Sequence, residues 1–170
     1  MRFLPVAAAI ALAAISVSTS LSAQRADTAI DPRSMALLNR GKAAEAAGNL
    51  PGATDLIESA LVVDPRNRGA FLELAVLAEK QQLPGKAIRL YREALLLEPN
   101  DVAALRGQGE AMVTKGALGP AKENLARIRT LCGKKACPEA TALAATIAKG
   151  PPLAAIAPTK VPDKPDAAKE

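Results

Sequence analysis

The chain has 170 residues, a formal net charge of +5 and 49% apolar side chains. That is enough for one domain, and too much apolar material for a chain that never folds. There is no histidine or tryptophan, one tyrosine and two phenylalanines, and basic and acidic residues are interleaved. The commonest general base is therefore missing, as are the concentrated basic stripe and stacking rings that nucleic acid would need; no nucleic acid is expected as a partner.

Residues 1–23 read as a secretory signal peptide. Arg2 is the positive start, Phe3 to Val17 the apolar stretch, and Ser18 to Ala23 supply small residues for a cut after Ser22 or Ala23. The alternative is an uncleaved anchor, the one case in which membrane contact is expected. An apolar run of about 15 residues holding Pro5 is short for that, since a spanning helix takes roughly 20. Gln24 stands where a lipoprotein needs cysteine. Export is the expectation, with the periplasm of a bacterial envelope as the compartment.

Residues 24–33 carry no periodicity and read as a lead-in. Asp31-Pro32 then signals a helix start, with Asp31 as the cap. From Ser34 to Gly133 apolar residues recur at helical spacing, broken by Gly and Pro, and six helices are predicted: 33–47, 51–62, 67–81, 84–97, 101–115 and 119–132. Gly48-Asn49-Leu50 ends the first, and Pro51 and Pro84 open later ones, where a first-turn residue needs no amide hydrogen. Gly116 or Gly119 precedes Pro120 in the same way. Asp64-Pro65-Arg66-Asn67 and Glu98-Pro99-Asn100-Asp101 stop one helix and cap the next, and links this short force antiparallel neighbours. Ser34 is a further candidate cap.

A 34-residue period runs through these helices. Ala53, Ala87 and Ala121 are each 34 residues apart; Ile57, Tyr91 and Leu125 follow four residues later, and Ala60, Ala94 and Ile128 three after that. Pro65 and Pro99 close two copies and Gly133 the third. A fixed period of this length marks stacked units, none of which buries its apolar face alone.

Cys132 and Cys137 are the only cysteines. In an oxidising compartment so close a pair reads as a disulfide, and because residues five apart on one helix sit too far from each other, a turn at Gly133 must separate them. A structural staple is favoured over a redox pair, since the spacing is not C-x-x-C. Without histidine two thiolates complete no zinc site, and no metal is expected. Residues 134–149 hold this turn and a seventh helix from Pro138 to about Lys149, a cap over the last repeat. Residues 150–170, with five prolines, read as a disordered tail.

The segment Ser34–Gly133 resembles three tetratricopeptide repeats, 34–67, 68–101 and 102–133. The fourth positions are Leu37, Phe71 and Leu105; the small eighth ones are Gly41, Ala75 and Gly109; the eleventh are Ala44, Ala78 and Met112, smaller than the usual tyrosine. The resemblance implies an all-α fold, a right-handed α-solenoid of three antiparallel helix pairs, with the first helix of each pair lining a concave face. By the family pattern that face carries Met35, Leu38, Lys42 and Glu45; Gly69, Leu72, Val76 and Glu79; and Ala103, Arg106, Glu110 and Val113. Some members clamp a carboxylate tail with bases here. Leu38 and Glu110 occupy two of those places, leaving Lys42 and Arg106, so no such clamp is expected.

The remaining stripe of Met35, Leu38, Leu72, Val76 and Val113, rimmed by Lys42, Glu45, Glu79, Arg106 and Glu110, is the candidate groove for an extended or helical segment of another protein. Its alternatives are coverage by the chain's own ends or by a second copy. Catalysis is not expected: no lysine or acid is placed to activate Ser34 or Ser59, and Gly107-Gln108-Gly109 lacks the third glycine and the strand of a phosphate loop. No cofactor is implied. The readings in order are a non-catalytic binding scaffold, a structural homo-oligomer, and a thiol–disulfide protein using Cys132 and Cys137.

Overall fold

Side-chain caps and prolines set where each helix begins. The computed structural model describes residues 29–152; the expected leader at 1–23, the first half of the lead-in and nearly all of the tail lie outside the described residues. Seven helices follow in chain order: α1 (Pro32–Ala46), α2 (Leu50–Val63), α3 (Arg68–Lys80), α4 (Pro84–Leu97), α5 (Val102–Thr114), α6 (Leu118–Cys132) and α7 (Pro138–Lys149). Asp31, Asn67 and Asp101 open α1, α3 and α5 by accepting hydrogen bonds from amides one or two residues inside the helix. Pro51 and Pro84 lie in the first turns of α2 and α4. Each helix of the repeats starts and stops within one residue of its predicted bounds.

The first helix of each pair also ends alike. At Gly48, Gln82 and Gly116 the backbone is left-handed, with φ of 80°, 58° and 83°. The amide after each donates back to the carbonyl five residues earlier: Asn49 to Ala44, Leu83 to Ala78 and Ala117 to Met112. This closes the last turn and reverses the chain into the second helix. Two of the three positions are glycine; the middle repeat holds a glutamine there.

Pairs α1/α2, α3/α4 and α5/α6 pack as antiparallel hairpins, α2 lies on α3 and α4 on α5, and α7 covers both α5 and α6. The result is an all-α solenoid of three helix pairs with a seventh helix closing its end. Ala53, Ala87 and Ala121 are all fully buried, as are Ala60, Ala94 and Ile128. Three apolar clusters follow one another along the stack, one centred on Ile57 and Leu77, one on Tyr91, and one on Leu105, Ile128 and Leu143. Small residues make the approaches possible: a methyl at Gly41 would meet Ile57 Cγ1 at 2.3 Å, and one at Gly107 would meet the Tyr91 ring at 2.3 Å.

The two joints between hairpins are built differently. At the first, Ser34 Oγ donates to the Ala60 carbonyl (2.7 Å), Asn67 Nδ2 donates to Ser34 Oγ (2.8 Å), and the Asp31 amide donates to Asp64 Oδ2 (2.9 Å). Ser34 is thus a buried joint residue inside α1, not the cap its sequence position offered; Asp31 holds that place. At the second joint Arg68 and Asp101 occupy the equivalent positions and form an ion pair.

Cys132 ends α6, Gly133 turns the chain with φ 60°, and Cys137 caps α7. The two cysteines face each other with Cα atoms 6.0 Å apart, the separation a disulfide spans. No described helix is long and apolar enough to cross a membrane.

Candidate peptide-binding groove

Helices α1, α3 and α5 lie side by side; charged pairs join α1 to α3, and a further pair lies along α5. Lys42 on α1 reaches Glu73 on α3 (3.5 Å), Lys80 on α3 reaches Glu45 on α1 (2.5 Å), and Arg106 grips both oxygens of Glu110 on α5 (3.0 and 2.9 Å). Of the rim residues taken from the sequence, Lys42 and Glu45 meet at the α1–α3 seam, and Glu79 lies close enough to Arg106 and Glu110 to feel their charges. Glu73 and Lys80, which complete the pairs, were not among the site residues read from the sequence. Each stands 31 or 35 residues from its partner, close to one repeat, and that spacing was the available signal.

The apolar stripe is shorter than expected. Leu38 is 6% exposed and Val113 2%. Leu38 sinks into the α1–α3 seam because Gly69 has no side chain; a methyl there would lie 3.2 Å from Leu38 Cδ2. Val113 belongs to the most enclosed helix, since α5 packs against α3, α4, α6 and α7. Neither can touch a guest. Met35 is 40% exposed, and Leu72 and Val76 are half-buried, so these three carry the apolar contact area that remains.

Toward α5 the groove deepens into a cavity of about 630 Å³ lined by Glu79, Gln82, Pro84, Glu110, Ala111, Thr114 and Pro152. Glu79 is its chemical centre. One of its carboxylate oxygens is buried without a hydrogen-bond partner among the described residues. Burial, and then the nearby charge of Glu110, push its pKa up to about 7, against the Tyr91 hydroxyl and Arg106, which act the other way. Tyr91 is raised in turn, by burial first and then by Glu79. Beside Lys42, Glu73 is raised by burial and by the adjacent Glu45. The tyrosine was legible only as the one hydroxyl-bearing member of the Ile57, Tyr91, Leu125 set.

No group of His, Cys, Asp and Glu among the described residues is arranged to hold a metal ion. What the face offers is a shallow apolar strip, a lattice of paired charges, and one cavity with an unpaired buried carboxylate oxygen.

No family model matches the chain, and no curated protein matches it by sequence. Solved structures do match by shape. The Sgt2 TPR domain from Aspergillus fumigatus superposes with a TM-score of 0.63 at 24% identity, covering 82% of this chain and 93% of that one. The TPR2B domain of yeast Sti1, in a complex with pHsp70, gives 0.64 at 18% identity over 70% of this chain and 98% of that one. The Yersinia enterocolitica type III secretion chaperone SycD, in complex with a peptide of the translocator YopD, gives 0.58 at 19% identity over 68% and 86%. The chain therefore has the fold of a tetratricopeptide-repeat domain with three repeats.

Proposed function

We propose that this chain is a non-catalytic scaffold of the bacterial envelope that holds an extended or helical segment of another protein in the face formed by α1, α3 and α5. The observation that carries the reading is that face itself: Met35, Leu72 and Val76 lie among paired charges and lead into the Glu79 cavity. Shape similarity to SycD, solved with a peptide of YopD, and to the Sti1 domain, solved in a complex with pHsp70, supports it. The envelope assignment rests on the leader in residues 1–23, and the Cys132–Cys137 bridge fits an oxidising compartment as a staple for α7. A photoreactive amino acid at Val76, compared with one at the exposed Glu123 on α6, tests the groove in intact cells. Adducts specific to Val76, lost on Leu72→Glu while circular dichroism is unchanged, are expected; equal adducts from both positions would remove the groove from consideration.

A second reading, self-association, has its own observation. Val62 is 84% and Leu96 70% exposed, one repeat apart, and Leu97 and Leu131 repeat the pattern one residue on. A row of this kind on the second helices could seat another copy. Sedimentation across a hundredfold concentration range distinguishes a dimer from a monomer.

A further inference from the structure

Outside the groove, the fold gathers basic residues that the sequence scatters. A cavity of about 680 Å³ is lined by Lys86, Arg89, Arg92 and Lys115, together with the Gln82–Gly85 turn and Ile88, and no acid among the described residues lines it. Lys86 and Arg89 are one turn apart on α4, Arg92 follows a turn later, and Lys115 arrives from the end of α5. Only Lys86 has an ion-pair partner among the described residues, Glu58 at 3.7 Å, and both of those side chains are well exposed. Arg89, Arg92 and Lys115 have none.

The placement of Lys115 sharpens the point. Its Nζ lies 3.5 Å from where a methyl on Gly85 would be, directly over the first turn of α4. That turn contains no acid, and α4 has no side-chain cap. A helix start carries partial positive charge from its free amides. An ammonium over it, with three more cations at the same opening, repels unless an anion joins them. With Lys86 already beside Glu58, one further carboxylate would offset one of three remaining positive charges; a phosphate group, with up to two charges and three oxygens, matches the two arginine forks and the Lys115 ammonium better. The cavity also has apolar walls in Leu83, Pro84 and Ile88, and is much larger than a bare phosphate. No aromatic ring among the described residues lines it to stack a nucleic-acid base.

We propose that the cavity between the start of α4 and Lys115 is an anion site that takes a phosphate group carried on a larger body, either a soluble phosphate ester or an anionic phospholipid headgroup. It lies beside the groove, sharing Gln82 and Pro84 with the groove cavity, and does not depend on a peptide occupying that groove.

The test uses the full chain at constant ionic strength with three probes: sodium tripolyphosphate, vesicles of phosphatidylcholine with and without phosphatidylglycerol, and hexaglutamate. Nitrogen-15 NMR reads the first and third, and co-sedimentation the second. Saturable shifts at the Gly85, Ile88 and Gly116 amides are expected with tripolyphosphate. Arg89→Ala/Lys115→Ala should weaken binding by about tenfold or more, since two charge-assisted contacts are lost. Lys122→Ala/Arg129→Ala removes the same charge from α6 and should change it by less than about twofold, because screening confines the effect to nearby charges. All four positions are exposed, and unchanged circular dichroism confirms that the variants fold. Tripolyphosphate binding without vesicle binding assigns a soluble ester. Vesicle binding that requires phosphatidylglycerol, and that Arg89→Ala/Lys115→Ala abolishes, assigns a headgroup. Absence of saturable binding to either, equal loss in the two double variants, or hexaglutamate binding as tightly as tripolyphosphate would overturn the proposal, the last in favour of an acidic protein segment.

Discussion

Gln82→Gly should make the protein more stable, because the middle repeat holds a side-chain-bearing residue where the other two use glycine. At φ 58° the Gln82 backbone is in the left-handed region, and the Leu83-to-Ala78 hydrogen bond that ends α3 depends on it staying there. A Cβ in that region costs about 1–2 kcal/mol. Glycine removes that cost but gives the unfolded chain more freedom, which takes back about 0.5–1 kcal/mol. The net gain is about 0.5–1 kcal/mol, or a melting temperature higher by about 2–4 °C for a domain of this size. Gly48→Ala is the mirror experiment: nothing lies within 4 Å of the added methyl, so its loss of about 1 kcal/mol would be purely conformational. Equilibrium urea unfolding followed by circular dichroism reads both. A Gln82→Gly protein no more stable than the parent, beside a destabilised Gly48→Ala, would refute the claim that the α3 end stores strain.

Glu79 gives a pH dependence of known sign. Its folded pKa of about 7 lies above the ordinary 4.5, so the folded form keeps the proton longer. That contribution is fully present below about pH 4.5 and lost as pH rises through about 7, roughly 1–2 kcal/mol after allowing for partial solvent screening. With no histidine in the chain, few other groups titrate there; Glu79→Gln should flatten the fall in unfolding free energy between pH 5 and pH 8, and an unchanged slope would count against it. Leu143→Ala should cost about 2–4 kcal/mol, since that α7 side chain is fully buried with Leu105, Leu125 and Ile128 of α5 and α6. Gly109→Ala, whose methyl would meet Leu143 Cδ2 at 2.7 Å, should destabilise singly and partly repair the Leu143→Ala cavity, a non-additivity that thermal melts can read. Cys132→Ser/Cys137→Ser should weaken the C-terminal end by about 2 kcal/mol, the value for so short a loop. Hydrogen exchange should quicken in α7 and stay unchanged in α1 to α4.

The helices were legible because two strong local signals agreed, the 34-residue recurrence and the capping chemistry of Asp31, Asn67 and Asp101. Ala53, Ala87 and Ala121 could be assigned to helix contacts because alanine at one repeat interval has little other reason to recur. Side-chain direction was less legible. Leu38 and Val113 sit at positions that point toward the groove by pattern, yet Gly69 opens a hole for one and neighbouring helices enclose the other. Ser34 looked like a cap because serine near a helix start usually is one; its burial beside Ala60 and Asn67 depends on residues 26 and 33 positions away. Gln82 escaped notice because only its backbone angle is unusual. The basic cavity was hidden for a similar reason: Lys115 is separated from Lys86, Arg89 and Arg92 along the chain, and only the turn after α5 returns it to them.

The unlike joints between hairpins have a mechanical consequence. The first is fastened by short bonds from Ser34, Asn67 and the Asp31 amide, all shielded from water, and behaves as a weld. The second joins buried packing of Tyr91 against Gly107 to the Arg68–Asp101 pair, whose arginine side chain is 42% accessible and so open to screening by dissolved ions. Dissolved salt should therefore weaken the Arg68–Asp101 contact while leaving the Ser34 and Asn67 bonds of the first joint untouched.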